Sequence, residues 1–179
     1  MPRVDPYRLL VRSVVVLAAI GALVGACGSD DDDARDDAAL EATIADVLVG
    51  VDDPSALQYT AAEASCVATD VVDAIGADRL RSLGVEEDDF VALTALDLTD
   101  EEGDVVYDAL DDCLDLQAQL AGMIGGPSVA QPVKDCAAER YIASGLFREA
   151  LLTPEFDEGL NRRIDLELSE AFAACESAS

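Results

Sequence analysis

Four cysteines constrain this chain most. Cys66, Cys113, Cys136 and Cys175 each fall inside a stretch whose apolar residues recur at helical spacing. Gaps of 47, 23 and 39 residues put no two of these thiols on one helical turn, so whatever joins them is a tertiary contact. The chain has no CxxC and no histidine, which leaves a zinc or thiol-exchange site without its usual ligands.

Short-range signals punctuate the helices. Leu40, Ile44, Val47 and Leu48 share one face of a first helix from Ala38, and Gly50 is placed to stop it. Asp52-Asp53-Pro54-Ser55 reads as a turn and Thr60-Ala61-Ala62-Glu63 as a capping box. The helix it opens carries Val67, Val71, Val72 and Ile75 on one face, with Cys66 at the border, and reaches Gly76. Two shorter pieces are expected, Asp78 to Leu83 closed by Gly84, and Asp88 to Leu96. Thr99-Asp100-Glu101-Glu102 is a second capping box, launching a long helix in which Val106, Leu110, Cys113, Leu114 and Leu120 recur before Gly125-Gly126-Pro127. Another helix starts near Gln131 with Pro132 in its first turn, turns Val133, Cys136, Ala137, Tyr141 and Ile142 inward, and ends or bends at Gly145. A short piece spans Leu146 to Leu152, Thr153-Pro154-Glu155 starts the next, and the last helix holds Leu160, Ile164, Leu168, Phe172 and Cys175. Nothing alternates with a period of two. The folded part is therefore expected to be all-α, a small bundle of about six to eight helices.

The N-terminus sets the compartment. Arg3, Arg8 and Arg12 precede thirteen uncharged residues, Val14 to Ala26. That order matches an export signal and falls short of the ~20 apolar residues that span a bilayer. Its end, Val24-Gly25-Ala26-Cys27, resembles the lipobox of bacterial lipoproteins. A branched aliphatic stands three places before the cysteine, small residues flank the position where a membrane peptidase cuts, and a thiol waits at the interface for diacylglycerol. The resemblance covers the first 27 residues. It implies that 1–26 is a signal peptide that is removed, that Cys27 is lipidated, and that the rest is held at the extracytoplasmic face of the cell membrane. Gly28 to Asp37, GSDDDDARDD, has no apolar residue larger than Ala34, so 27–37 is expected to be a lipidated cysteine and an extended, disordered acidic tether. The helical domain is expected over 38–179.

Of the 11 Lys+Arg three precede Cys27, and of the 38 Asp+Glu one does, so the exported part carries eight basic and 37 acidic residues, a formal charge of −29. Such a charge repels nucleic acid and an anionic membrane surface. It is read first as keeping a tethered domain solvated, and second as attracting divalent cations or a basic partner.

The sequence around the cysteines repeats. Cys66-Val67-Ala68 opens one unit as Cys136-Ala137-Ala138 opens another, each followed by an apolar pair, Val71-Val72 or Tyr141-Ile142. Ala109-Leu110 precedes Cys113 as Ala171-Phe172 precedes Cys175, and Asp89-Phe90 corresponds to Glu155-Phe156. Phe90 lies 24 after Cys66 and 23 before Cys113, whereas Phe156 lies 20 after Cys136 and 19 before Cys175. Each half of the first unit is thus longer by about one helical turn. These pseudo-repeats cover 60–125 and 130–179. Each places one cysteine in the first turns of a helix and the other late in its closing helix, and antiparallel packing brings those ends together. Four cysteines allow three connectivities, and this geometry favours Cys66–Cys113 with Cys136–Cys175. Beyond the membrane such bonds persist, each contributing about 4 kcal/mol on the chain-entropy account.

Catalytic signals are sparse. Without histidine there is no imidazole general base. Ser144, in Ile142-Ala143-Ser144-Gly145, lacks the first glycine of a nucleophile elbow. If Gly103 of Asp100-Glu101-Glu102-Gly103-Asp104 is set as the sixth position of an EF-hand loop, Leu98 and Ala109 fall on the first and twelfth, where ligands belong. Gly122 to Gly126 lacks the Lys-Ser/Thr of a phosphate loop. The exported part resembles the small acidic, secreted or lipid-anchored proteins of high-GC actinobacteria that carry paired-cysteine helical repeats. The resemblance rests on the cysteine spacing, on Leu98 to Glu102 (LTDEE) and on Ala109 to Cys113 (ALDDC), and it implies no particular activity. The chain is therefore expected to be a non-enzymatic envelope lipoprotein that takes no cofactor and whose partner is an envelope protein or a cation. Its alternatives are an acidic module for divalent cations or a basic partner, and a hydrolase using two carboxylates.

Overall fold

Side-chain caps fix the starts of three helices in the computed structural model, which describes residues 30–51, 53, 56–85, 90, 92–153 and 158–178, with backbone alone for 30–34. The described residues form eight α-helices and no strand: α1 (Asp30–Val49), α2 (Ala61–Ile75), α3 (Ala77–Ser82), α4 (Asp100–Cys113), α5 (Leu116–Met123), α6 (Gln131–Ala143), α7 (Leu146–Leu152) and α8 (Glu158–Ala178). Both capping boxes form. Thr60 Oγ1 accepts from Glu63 N at 3.3 Å while Glu63 Oε2 accepts from Thr60 N at 2.8 Å, and Thr99 and Glu102 repeat the same two distances. Gly76 separates α2 from α3 at φ 88°, and Gly145 separates α6 from α7 at φ 77°, backbone conformations that a Cβ disfavours.

Three expectations about element boundaries are corrected. The acidic run expected to be an extended tether up to Asp37 is helical from Asp30. Acidic residues in a first turn lie at the favourable, positive end of a helix dipole, and the buried Leu40, Ile44 and Leu48 anchor the helix downstream, so it propagates back through the acids. The long helix expected to run from Thr99 towards Gly125 is broken at Leu114, whose backbone is extended, and Asp115 then caps α5 by accepting from Ala118 N at 2.9 Å. Of the short helix expected from Asp88 to Leu96, the described part is extended at Ala92 and forms one 3₁₀ turn, Leu93–Ala95. Cys27 and its lipobox, Asp88, Asp89, and Phe156 lie outside the described residues.

Packing follows the apolar faces. Helix α2 is sandwiched between α1 and α4, α6 between α5 and α8, and α7 touches α4, α6 and α8. Leu40, Ile44, Val67, Val71, Leu80, Val85 and Val106 are fully buried in one continuous core that extends to Ala138, Tyr141, Phe147 and Leu160. Each such aliphatic side chain stabilises the fold by about 1.5–3 kcal/mol on burial. A smaller cluster of Val133, Ala137, Ala171 and Cys175, flanked by Cys136 and Phe172, lies between α6 and α8. Among the described residues no helix is long and apolar enough to cross a membrane.

Candidate functional site

The cysteines pair within, not between, the two halves. Cys66, in the second turn of α2, is bonded to Cys113, the last residue of α4, with Cα atoms 5.8 Å apart. Cys136 of α6 is bonded to Cys175 near the end of α8, with Cα atoms 5.9 Å apart. In each case the start of one helix meets the end of another. The environments differ: Cys66 is exposed and Cys113 half-buried, whereas Cys175 is 2% exposed. Asp70 Oδ2 lies 3.4 Å from Cys113 Sγ, so Cys66, Asp70 and Cys113 form a close trio. Both sulfurs are committed to each other, and neither is the thiolate that a metal would need.

Around this frame, three joints hold the elements in register. Glu102, already closing the cap of α4, also accepts from Arg79 Nε at 2.6 Å and Nη2 at 3.0 Å, tying α3 to the first turn of α4. These hydrogen bonds, Arg79 first and the Thr99 N–H second, hold the Glu102 carboxyl down at about 2. Tyr107 of α4, Phe147 of α7 and Tyr141 of α6 meet edge to face, with ring centroids 6.3 and 6.0 Å apart, and so couple the two stapled halves. Burial raises the pKa of both tyrosine hydroxyls, and Asp111 and Asp108 add to the effect at Tyr107. At α5, Gln119 exchanges hydrogen bonds with the Gln58 backbone at 2.8 and 2.6 Å, and Gln117 donates to the Asp135 carbonyl at 3.1 Å.

A cleft of about 650 Å³ opens between the first turn of α4, the α6–α7 junction and the 3₁₀ segment. Leu96, Leu98, Leu146 and Leu152 line it together with Asp97, Asp100, Arg148 and Arg163. Gly103 permits the close approach of α7, since a Cβ there would stand 3.2 Å from Leu152 Cδ1. Arg148 pairs with Asp104, and Arg163 makes a two-pronged pair with Glu149 at 2.6 and 2.7 Å. Ser144 also lines the cleft, but its hydroxyl donates to the Tyr141 carbonyl at 2.7 Å and accepts from Leu146 N at 3.2 Å, which makes it a helix cap.

A second groove, of about 380 Å³ between α2 and α4, brings Asp70, Asp73, Asp108 and Asp112 together with Ala74, Val105 and Ala109. Reading the sequence found the disulfide partners and the two capping boxes but missed the Asp115 cap, the cleft, the aromatic trio and the partners of Arg79, Arg148 and Arg163. Each of these depends on how helices cross, and no local spacing signals it. Comparison of the chain with protein-family models, with curated proteins and with solved structures finds no match.

Proposed function

We propose that this chain is an envelope lipoprotein that tethers a disulfide-stapled helical domain to the extracytoplasmic face of the cell membrane through lipid on Cys27, and that the domain binds a partner rather than catalysing a reaction. The observation that carries the reading is the pairing of the cysteines: Cys66 with Cys113 and Cys136 with Cys175 use up the four cysteines of the described residues, so that Cys27 at the end of the lipobox-like segment is not needed for either disulfide. Disulfides of this kind belong to an oxidising compartment, and export supplies one. Glu63 is held low by the Thr60 cap, and Glu102 by Arg79 first and the Thr99 cap second, so both carboxylates serve as joints of the fold.

Fractionation of cells expressing the native chain and Cys27→Ala tests the anchor. The native protein is expected in membranes and labelled by radioactive palmitate, and the variant is expected in the soluble fraction and unlabelled. A Cys27→Ala protein that stays in membranes would overturn the assignment. Non-reducing peptide mapping of the membrane-bound protein is expected to recover Cys66 joined to Cys113.

A further inference from the structure

The cleft beside α4 has a floor and a rim of different chemistry. Leu96, Leu98 and Leu152 supply apolar surface, while Asp97 and Asp100 stand exposed at its edge. The cations of the cleft are already matched, Arg148 by Asp104 and Arg163 by Glu149. Among the described residues no ion pair within bonding distance is formed by the carboxylates of Asp97 or Asp100; Arg79, which donates to the Asp97 backbone carbonyl at 3.5 Å and feels the Asp97 charge, has its guanidinium hydrogen-bonded to Glu102. The aspartate groove between α2 and α4 has more acid but only alanine and valine beneath it, so it offers a ligand charge and little surface to bury.

The volume of the cleft lies within the ~300–1,000 Å³ common for small-molecule sites. An anion entering it would meet two carboxylates that lie outside any direct ion pair, in the field of a strongly negative chain, and a neutral molecule would gain the leucine floor alone. A molecule with an apolar body and a cationic head gains both. We propose that the cleft binds a small organic cation: an aromatic or aliphatic body lies on the leucines, and an amine, amidine or guanidine head sits at the Asp97–Asp100 rim. The proposal deepens the reading of the domain as a binding module and is independent of the lipid on Cys27. Fractionation tests the anchor and the titration below tests the cleft, so the two can fail separately.

The test is a titration of the full-length chain in neutral detergent with benzamidine, benzamide and benzoate, three probes of one shape and different charge, followed by NMR at about 0.15 M salt, where distant surface charges are screened. Benzamidine is expected to shift the methyl signals of Leu96, Leu98 and Leu152 along a saturating curve, benzamide to bind more weakly and benzoate not at all. Asp97→Asn with Asp100→Asn is expected to weaken benzamidine binding about five- to tenfold, as loss of two nearby charges would. Asp70→Asn with Asp73→Asn removes equal charge elsewhere and is expected to leave binding unchanged, with retained melting temperature as the check that both variants fold. Benzoate binding as well as benzamidine, shifts that fail to saturate, or equal weakening in the two double variants would overturn the proposal.

Discussion

Glu102 does two jobs with one side chain. It closes the capping box of α4 through the Thr99 N–H and receives two hydrogen bonds from Arg79 of α3, and the Arg79 bond is the larger reason its pKa falls from 4.5 to about 2. A carboxyl held low in the folded state favours folding when ionised. Its contribution is therefore complete above the unfolded value and is lost as pH falls through the window from 4.5 to about 2. Glu63 closes the equivalent box on α2, where Thr60 alone lowers its pKa. Glu102→Gln is accordingly expected to lower the melting temperature at neutral pH by more than Glu63→Gln does. Melting curves at several pH values should show the gap between the native chain and Glu102→Gln closing as acid protonates the native carboxylate. A gap that is constant with pH would mean that the Arg79 pair contributes nothing.

Helix α1 shows how an element can be held by one end. Its early turns are acidic and its later turns bury Leu40 and Ile44 at 0% exposure against α2, so removing that anchor should loosen the whole helix. Ile44→Ala is expected to cost about 2–5 kcal/mol, as large-to-small changes in a packed core do. For a domain of this size that is a fall in melting temperature of about 4–20 °C. A loss within a degree or two would place α1 outside the cooperative unit. The two stapled helix pairs should also respond differently to reductant. Cys66 is exposed, whereas Cys175 is buried between α6 and α8, so limited dithiothreitol followed by alkylation should label Cys66 and Cys113 first. What the sequence revealed at this scale follows the range of each interaction. Thr60 and Thr99 were legible because a capping box is complete within four residues. The break at Leu114 was not, because it has no Gly or Pro and depends on the Asp115 side chain capping a new helix that packs on α6. The disulfide partners were legible from the repeated positions of the cysteines along their helices. The cleft was not, since Leu96, Arg148 and Arg163 share it only once α4, α7 and α8 have packed.

At the scale of the molecule, two stapled helix pairs are joined through α5, the Tyr107–Phe147–Tyr141 contact and a shared core, and an excess of acid is spread over their surface. After Cys27 only eight basic residues face 37 acidic ones, so ion pairs such as Arg163–Glu149 neutralise a small share of the charge. The remainder is mutual repulsion that folding must overcome. Raising salt from about 0.01 to about 0.15 M shortens the screening length from about 30 to about 8 Å, and although it weakens the few surface pairs, it relieves far more like-charge contacts. The melting temperature should therefore rise with NaCl. Calcium chloride at matched ionic strength separates diffuse screening from a specific site: screening gives nearly the same rise for both salts, whereas specific binding to the folded state adds stability that grows with the free metal concentration relative to its dissociation constant. The α2–α4 groove sharpens the comparison. It gathers four aspartates from two helices, yet Asp70 stands against the disulfide and the groove has little beneath it to shape a coordination sphere. Equal curves in the two salts are thus the expected result. An excess with calcium that disappears in Asp70→Asn with Asp73→Asn would show that this groove holds the cation and that the acid has a use beyond solvation.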